Sequence, residues 1–222
     1  MVVSRLQRFR LKPSPNSIYS QKMKKTLVLA TRNKGKVLEV ERMLKIHAPE
    51  ISLISMADLD IGDIEETGNS FEENALLKAS TVTKLSGLAA LADDSGLAID
   101  SLNGEPGIFS ARYSGVHGDD AANNAKVLRL MDGISDRSAS FIAVLALTRP
   151  DGQSIVSRGE VAGQIIYSPS GDQGFGYDPI FQPTGFNITT AQMSPEMKDS
   201  ISHRGKALAQ IAPKISPFLS LS

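Results

Sequence analysis

The chain has 222 residues, 41% of them hydrophobic and 22% charged, an ordinary globular composition with enough apolar side chains for one substantial core. It contains no cysteine, which excludes disulfides, thiolate nucleophiles and cysteine-bound zinc or iron–sulfur centres, and it has no apolar run near the roughly 18 residues that a membrane-spanning helix needs. The net charge of zero hides an asymmetry, because residues 1–25 hold seven of the 24 bases and no acid, leaving 17 bases against 24 acids and a net charge of −7 in the remainder. A body this acidic lacks the basic footprint of a nucleic-acid binder and is better suited to holding a cation. Neither nucleic acid nor membrane is therefore an expected partner, and the lack of cysteine fits a cytoplasmic location.

In chain order, residues 1–23 read as a disordered basic head or as sequence upstream of a start at Met23, with an organelle transit segment as the lesser alternative. Residues 24–222 read as a single domain. TLVLA at 26–30 predicts a strand, and after a polar turn Val37, Val40, Met43, Leu44 and His47 follow at helical spacing. A second short strand is expected at 51–55. Ser70 and Glu73 form a predicted capping box for a helix that Gly87 ends. Strands are expected at 88–92 and 97–102, on either side of Asp93 and Asp94, then a glycine-rich loop at 103–118 and a helix at 120–131. Alternation at 139–147 and 154–166 around Arg149-Pro-Asp-Gly152 predicts an antiparallel hairpin. Ser194-Pro195 opens a further helix, and a terminal helix at 203–215 is weakened by Pro213. The strand–loop–helix opening together with the hairpin predicts an α/β fold with a mixed twisted sheet flanked by helices.

Three groups of residues carry chemistry. Thr31-Arg-Asn-Lys-Gly-Lys36 lies between a strand and a helix, where free backbone N–H groups and the helix dipole favour an anion, although a surface turn with ordinary capping explains it equally well. Its glycine spacing is not that of a Walker A loop. Glu65, Glu66, Glu72, Glu73, Asp93 and Asp94 supply six carboxylates between positions 65 and 94. Mg²⁺ is typically held by one or two carboxylates plus water and phosphate oxygens, and Glu72 and Glu73 fit helix capping better than metal binding. Adjacent aspartates on a strand point to opposite faces, so only one of Asp93 and Asp94 aims into a given cleft. Gly174-Phe-Gly-Tyr-Asp-Pro-Ile-Phe181 offers aromatics that can stack on a flat ring, and Lys198 and Ser202-His-Arg-Gly205 add donors at a helix entry.

Taken together and in order, ATRNKGKV, EETGNSFEENALLKA, LADDSGLAIDSLNGEPGIFSARYSG, FGYDPIF and SHRGKAL resemble the RdgB/Ham1 family of inosine/xanthosine triphosphate pyrophosphatases, from about position 26 to about 212. Arg32 stands where many members carry a smaller residue. The resemblance implies a two-lobed fold with a central cleft, a homodimer, and Mg²⁺-dependent hydrolysis of dITP, ITP or XTP to the monophosphate and pyrophosphate. By the same resemblance Thr31, Arg32, Asn33, Lys34, Gly35 and Lys36 hold the triphosphate, Asp94 is the general base and a metal ligand, and Ser95 contacts the substrate. Glu65 is the second metal carboxylate, with Glu66 as its near alternative, and Asp93 is a supporting or second metal contact. Phe175, Gly176, Tyr177, Asp178, Lys198, His203 and Arg204 would form the purine pocket. Two rival readings are a non-catalytic nucleotide-binding regulatory module and a broader phosphatase acting on phosphate esters.

Overall fold

Alternation along three long strands sorts the apolar side chains onto two faces of one sheet, and the helices follow from that sorting. A computed structural model describes residues 25–220, so the expected basic head lies outside the described residues. The elements are β1 (Lys25–Leu29), α1 (Lys34–His47), β2 (Ile51–Ser55), α2 (Phe71–Ser86), β3 (Ala90–Ile99), α3 (Asp120–Leu130), β4 (Ser138–Thr148), β5 (Ser154–Ile165), β6 (Phe181–Pro183), α4 (Pro195–Ile201) and α5 (His203–Leu219). The six strands lie in the order β2-β1-β3-β4-β5-β6. β1 runs parallel to β2 and β3, and the remaining neighbours are antiparallel, which makes the sheet mixed as expected.

On one face Leu91 of β3 joins Leu145 and Leu147 of β4 beneath α1 and α5, through Val40, Met43, Leu208, Ile211 and Ile215. Further along the same face Leu97 and Ile99 join Phe141, Val161, Ile165 and Phe181 in a second cluster that includes Val127 and Met131. Between these two clusters the residues of β3 on that face are Asp93 and Ser95, so a polar seam divides the core into two lobes. On the opposite face Ala90, Ala92, Val144 and Ala146 pack on Ala75, Ala79 and Val82 of α2. Among the described residues no helix is long and apolar enough to cross a membrane.

Five local expectations are corrected. The strands expected at 88–92 and 97–102 are one strand: β3 passes straight through the acidic pair, with Asp93 opposite Leu145 and Asp94 opposite Val144. Residues 100–102 form a 3₁₀ turn instead of continuing the strand. The expected loop at 103–118 contains a 3₁₀ helix, Gly107–Arg112, docked on β3. Ser110 Oγ there accepts from Leu97 N at 2.9 Å, and Gly96 has no Cβ to collide with Ser110 and Gly107. Ser70 caps α2 as expected, but the carboxylate of Glu73 accepts from Asn69 N rather than from the cap residue, so the reciprocal half of the box is shifted by one position. Finally, α5 runs through Pro213 and Pro217 to Leu219. Both prolines face solvent, so the carbonyls they leave unpaired are accessible to water, while the buried stripe from Ala207 to Phe218 holds the helix on the sheet.

The start of α5 lies unusually close to the sheet. A Cβ at Gly159 of β5 would strike the carbonyl oxygen of His203 and lie 2.5 Å from Ala207 N. Gly159→Ala should therefore cost about 1–3 kcal/mol in urea unfolding, whereas Gly62→Ala, with nothing within 4 Å, should stay within about 0.5 kcal/mol of the parent. Equal midpoints for the two variants would refute the close-approach argument.

Candidate active site

The loop after β1 is shaped by its own side chains. Thr31 Oγ1 accepts from Asn33 N at 3.2 Å, and Asn33 caps α1 by accepting from Lys36 N at 3.0 Å. Other N–H groups of the first turn have no intrahelical acceptor and are open to an anion. Arg32 and Lys34 are exposed, whereas Lys36 turns inward and places Nζ 2.6 Å from Asp93 Oδ1. Gly35 lies against Phe175: a Cβ would sit 2.8 Å from its Cε1. The anion loop and the aromatic of the FGYD segment are thus neighbours.

Asp93 is the hub of a buried ionic network. Arg204 Nε donates to its Oδ2 at 2.7 Å and Arg204 Nη2 donates to Ser95 Oγ at 2.9 Å, while Ser95 Oγ donates to Asp93 Oδ1 at 2.8 Å. Arg204 Nη1 bonds the carboxylate of Glu39, whose other oxygen is 2.8 Å from Lys198 Nζ. Lys198 also contacts Asp178 at 2.5 Å. Three carboxylates, Glu39, Asp93 and Asp178, therefore face three cations, Lys36, Lys198 and Arg204. Burial alone would raise the pKa of Asp93, but Arg204 and Lys36 outweigh it and hold the group well below the usual carboxylate range. The same contest at Glu39, burial against Arg204 and Lys198, leaves its pKa at about 2.

Asp94 points to the other face, as strand alternation requires. Lys78 Nζ donates to Asp94 Oδ1 at 2.7 Å, to Asp93 O at 2.9 Å and to Glu66 Oε1 at 2.9 Å. Arg112 Nη1 holds the second oxygen of Glu66 at 2.9 Å. The remaining oxygen of Asp94, Oδ2, is buried and has no hydrogen-bond partner. Burial raises the Asp94 pKa and Lys78 offsets that only in part, so its carboxylate is a stronger base than an exposed one. An orphaned oxygen of this kind fits a divalent cation. Among the described residues no group of three or more His, Cys, Asp or Glu assembles, so a cation here would rest on one or two carboxylates and complete its shell with water and phosphate, the pattern Mg²⁺ favours. Glu65 and Glu66 line one cavity, and Glu66 is the residue that shares Lys78 with Asp94.

Two cavities meet across the seam. A narrow one of about 90 Å³ is lined by Ser95, Phe175, Gly176, Tyr177, Asp178, Lys198, His203 and Arg204. A wide one of about 850 Å³ is lined by Thr31, Arg32, Glu65, Glu66, Lys78 and Arg112. Asn33, Lys36 and Ala111 line both. Lys34 lines neither. In the narrow cavity His203 stacks on Phe141, with ring centroids 4.8 Å apart and planes 10° apart, and its Nδ1 is buried without a partner. Burial and the neighbouring Arg204 push the imidazole pKa well below its usual value, so the ring is neutral at pH 7. The FGYD loop is held by its own side chains and by α3. Asp178 accepts from Phe175 N at 2.8 Å, Tyr177 Oη donates to Ser110 O at 2.8 Å, and Asp120 and Asn124 bond the N–H and C=O of Gly176 at 2.7 and 2.9 Å.

Sequence reasoning missed Glu39, Lys78, Arg112 and Asp120. Two of these left a visible signal. Lys78 stands on the buried stripe Ala75, Ala79 and Val82 of α2, and Glu39 sits beside Val40 on the inward side of α1; a charge on an apolar face requires a buried partner. The network makes two predictions. The unfolded chain takes up protons near the ordinary glutamate value of 4.5, whereas folded Glu39 does so only near 2, so stability present above pH 4.5 should be lost as the pH falls toward 2. Glu39→Gln should cost about 3 kcal/mol at pH 7 and flatten that acid limb; chemical unfolding as a function of pH reads both, and an unchanged limb would contradict the assignment.

Comparison with known proteins matches the chain to the Ham1 family over residues 27–214. A dITP/XTP pyrophosphatase of Mycobacteroides abscessus is 46% identical over 199 residues, covering 88% of this chain and 97% of that protein. One of Geobacter sulfurreducens is 47% identical over 186 residues, covering 82% and 92%. Among solved structures, the Ham1 protein of Staphylococcus aureus superposes with a TM-score of 0.78 at 39% identity, covering 87% of this chain and all of that one. A HAM1 protein from Coxiella burnetii gives 0.79 at 42%, covering 87% and 99%. With the match running from the first strand into the last helix, and solved Ham1 structures superposing on the same sheet, the chain belongs to the Ham1 family.

Proposed function

We propose that this protein hydrolyses the triphosphates of deaminated purines, dITP, ITP and XTP, to the nucleoside monophosphate and pyrophosphate, clearing them before polymerases use them. The observation that carries the reading is the continuity of the two cavities at Asn33, Lys36 and Ala111. A planar base in the narrow cavity, flanked by Phe175 and His203, leaves its phosphates to extend past Lys36 into the wide one, beside Lys78 and Glu66. The curated relatives named above carry the same activity in their names.

The reaction breaks the bond between the α-phosphorus and its bridging oxygen while a water oxygen bonds to that phosphorus. Asp94 accepts the proton of the attacking water, and its raised pKa suits that task. Lys36 and Lys78 face the negative charge that builds on the departing pyrophosphate. Asp94 with Glu66 or Glu65 would hold a divalent cation, Mg²⁺ by the hardness of the donors, which when bound neutralises phosphate charge and polarises water. Asn33 caps α1 so that backbone N–H groups, with Thr31 and Arg32 on the wall of the wide cavity, surround the outer phosphates, while Lys34, expected among them, is exposed and lines neither cavity.

Base selection follows from how the cations are held. Lys198 contacts Glu39 and Asp178, and most of the Arg204 donors are taken by Asp93, Glu39 and Ser95, so these side chains are fixed donors rather than free charges. A 6-keto purine presents an acceptor at O6 to them. Adenine presents an amino group, leaving buried donors facing a donor, an arrangement that can reject an analogue by ~10⁴ or more.

Asp94→Asn should lower pyrophosphate release from ITP by about 10²- to 10⁴-fold with an unchanged circular dichroism spectrum; parental turnover would remove Asp94 from the base role. The product should be pyrophosphate, and orthophosphate would favour the phosphatase reading. Lys198→Ala and His203→Ala should narrow the ITP-over-ATP ratio of kcat/KM more than they weaken pyrophosphate binding, and an unaltered ratio would refute the pocket assignment.

A further inference from the structure

We infer that Arg112 is a second, metal-released anchor for the pyrophosphate end of the substrate: it holds Glu66 while the carboxylate is free of metal and turns to the phosphates once a divalent cation takes that carboxylate. The inference rests on the active-site reading above and adds a residue to it.

The position of Arg112 carries the first part of the argument. It ends the 3₁₀ helix Gly107–Arg112, in the segment between β3 and α3, and lines the wide cavity with the anion loop. The other lysine and arginine side chains lining that cavity are Arg32 and Lys36, from the anion loop and α1, and Lys78, from α2. Arg112 therefore brings positive charge from a different part of the chain. Its backbone is fixed: Ser110 is bonded to Leu97 N and to Tyr177 Oη, Ala98 bridges to Pro106, and Gly96 allows the helix to lie directly on β3. Only the side chain has to move.

Charge and donor geometry carry the second part. In the metal-free arrangement two carboxylates, Asp94 and Glu66, are matched by two cations, Lys78 and Arg112. A divalent ion on the same carboxylates replaces those partners and adds like charge beside both side chains, which then require another anion. Among the described residues the Arg112 side chain makes one hydrogen bond, to Glu66, so most of its five N–H donors are uncommitted. It is about one-third exposed and lies 5.4 Å from the Phe109 ring centroid, so it can reorient without leaving an apolar void. A planar fork of donors beside a polyphosphate channel matches phosphate oxygens better than a carboxylate already shared with Lys78.

The two roles predict effects of opposite sign, measured by titration calorimetry on the full chain. Arg112→Ala should bind Mg²⁺ alone about two- to fivefold more tightly, because the guanidinium no longer competes for Glu66. With saturating Mg²⁺ it should bind pyrophosphate about tenfold more weakly, with inosine monophosphate binding unchanged because that ligand lacks the outer phosphates. Arg112→Lys should fall between. Arg112→Gln, which keeps a polar side chain and part of the aliphatic stem without the charge, is measured alongside so that a folding defect in the alanine variant does not decide the matter. Unchanged pyrophosphate affinity, or equal weakening of pyrophosphate and inosine monophosphate, overturns the inference. If the parent protein binds neither ligand in Mg²⁺, the active-site reading itself falls and the role of Arg112 falls with it.

Discussion

Arg204, at the head of α5, reaches Asp93 in the middle of β3 across 111 residues of sequence, and both side chains are buried. The rest of the site is arranged around this pair. Through Arg204 the network takes in Glu39 of α1, and through Glu39 it reaches Lys198 of α4 and Asp178 of the FGYD loop. Through Asp93 it fixes Lys36 at the junction of the two cavities. Five segments, β3, α1, α4, α5 and the FGYD loop, are thereby held in one geometry. Buried ion pairs seldom stabilise a fold relative to well-packed apolar residues, so this arrangement is better explained by what it positions than by stability: donors locked in direction, in a pocket whose charges cancel and which can therefore receive an uncharged ring.

One strand carries two carboxylates with opposite fates. Asp93 is saturated by cations and stays ionised, so it serves as a fixed counter-charge. Asp94, one residue on and on the other face, keeps an oxygen with no partner and a pKa shifted toward proton uptake. The difference arises from neighbours rather than residue type: Asp93 meets an arginine and a lysine, whereas Asp94 shares a single lysine with Glu66. Leaving a buried acceptor unsatisfied costs stability, and functional sites are where such costs are retained.

Much of this was legible in the sequence. The strand–loop–helix opening, the caps at Ser70, Ser194 and Asn33, and the hairpin depend on neighbouring residues, and local spacing reports them faithfully. The errors fell where distant contacts overrode local preference. Two adjacent aspartates suggest a strand break, yet β3 continues through them because Arg204, Lys36 and Lys78 arrive from elsewhere to neutralise the charge. Pro213 suggests a weakened helix, yet α5 persists because its buried stripe is anchored on the sheet and its prolines face water. Glu39 and Lys78 were passed over because a charge on an amphipathic helix ordinarily points outward, and nothing within a few residues of either names its partner.

By itself, then, the sequence determined the inventory: which segments become strands and helices, which faces are apolar, which loops bring lysines and aromatics together, and to which family the motif order belongs. Alternation on a strand also determined that Asp93 and Asp94 could not share one task. Only the tertiary structure decided which task fell to each, because that depends on cations brought from α1, α2 and α5. It likewise decided that Glu66 is the acid tied to Lys78 and that Arg112 lines one cavity with Thr31 and Arg32. These are relations between residues far apart in the chain, fixed by how the sheet brings its two faces against different helices, and local sequence spacing does not encode them.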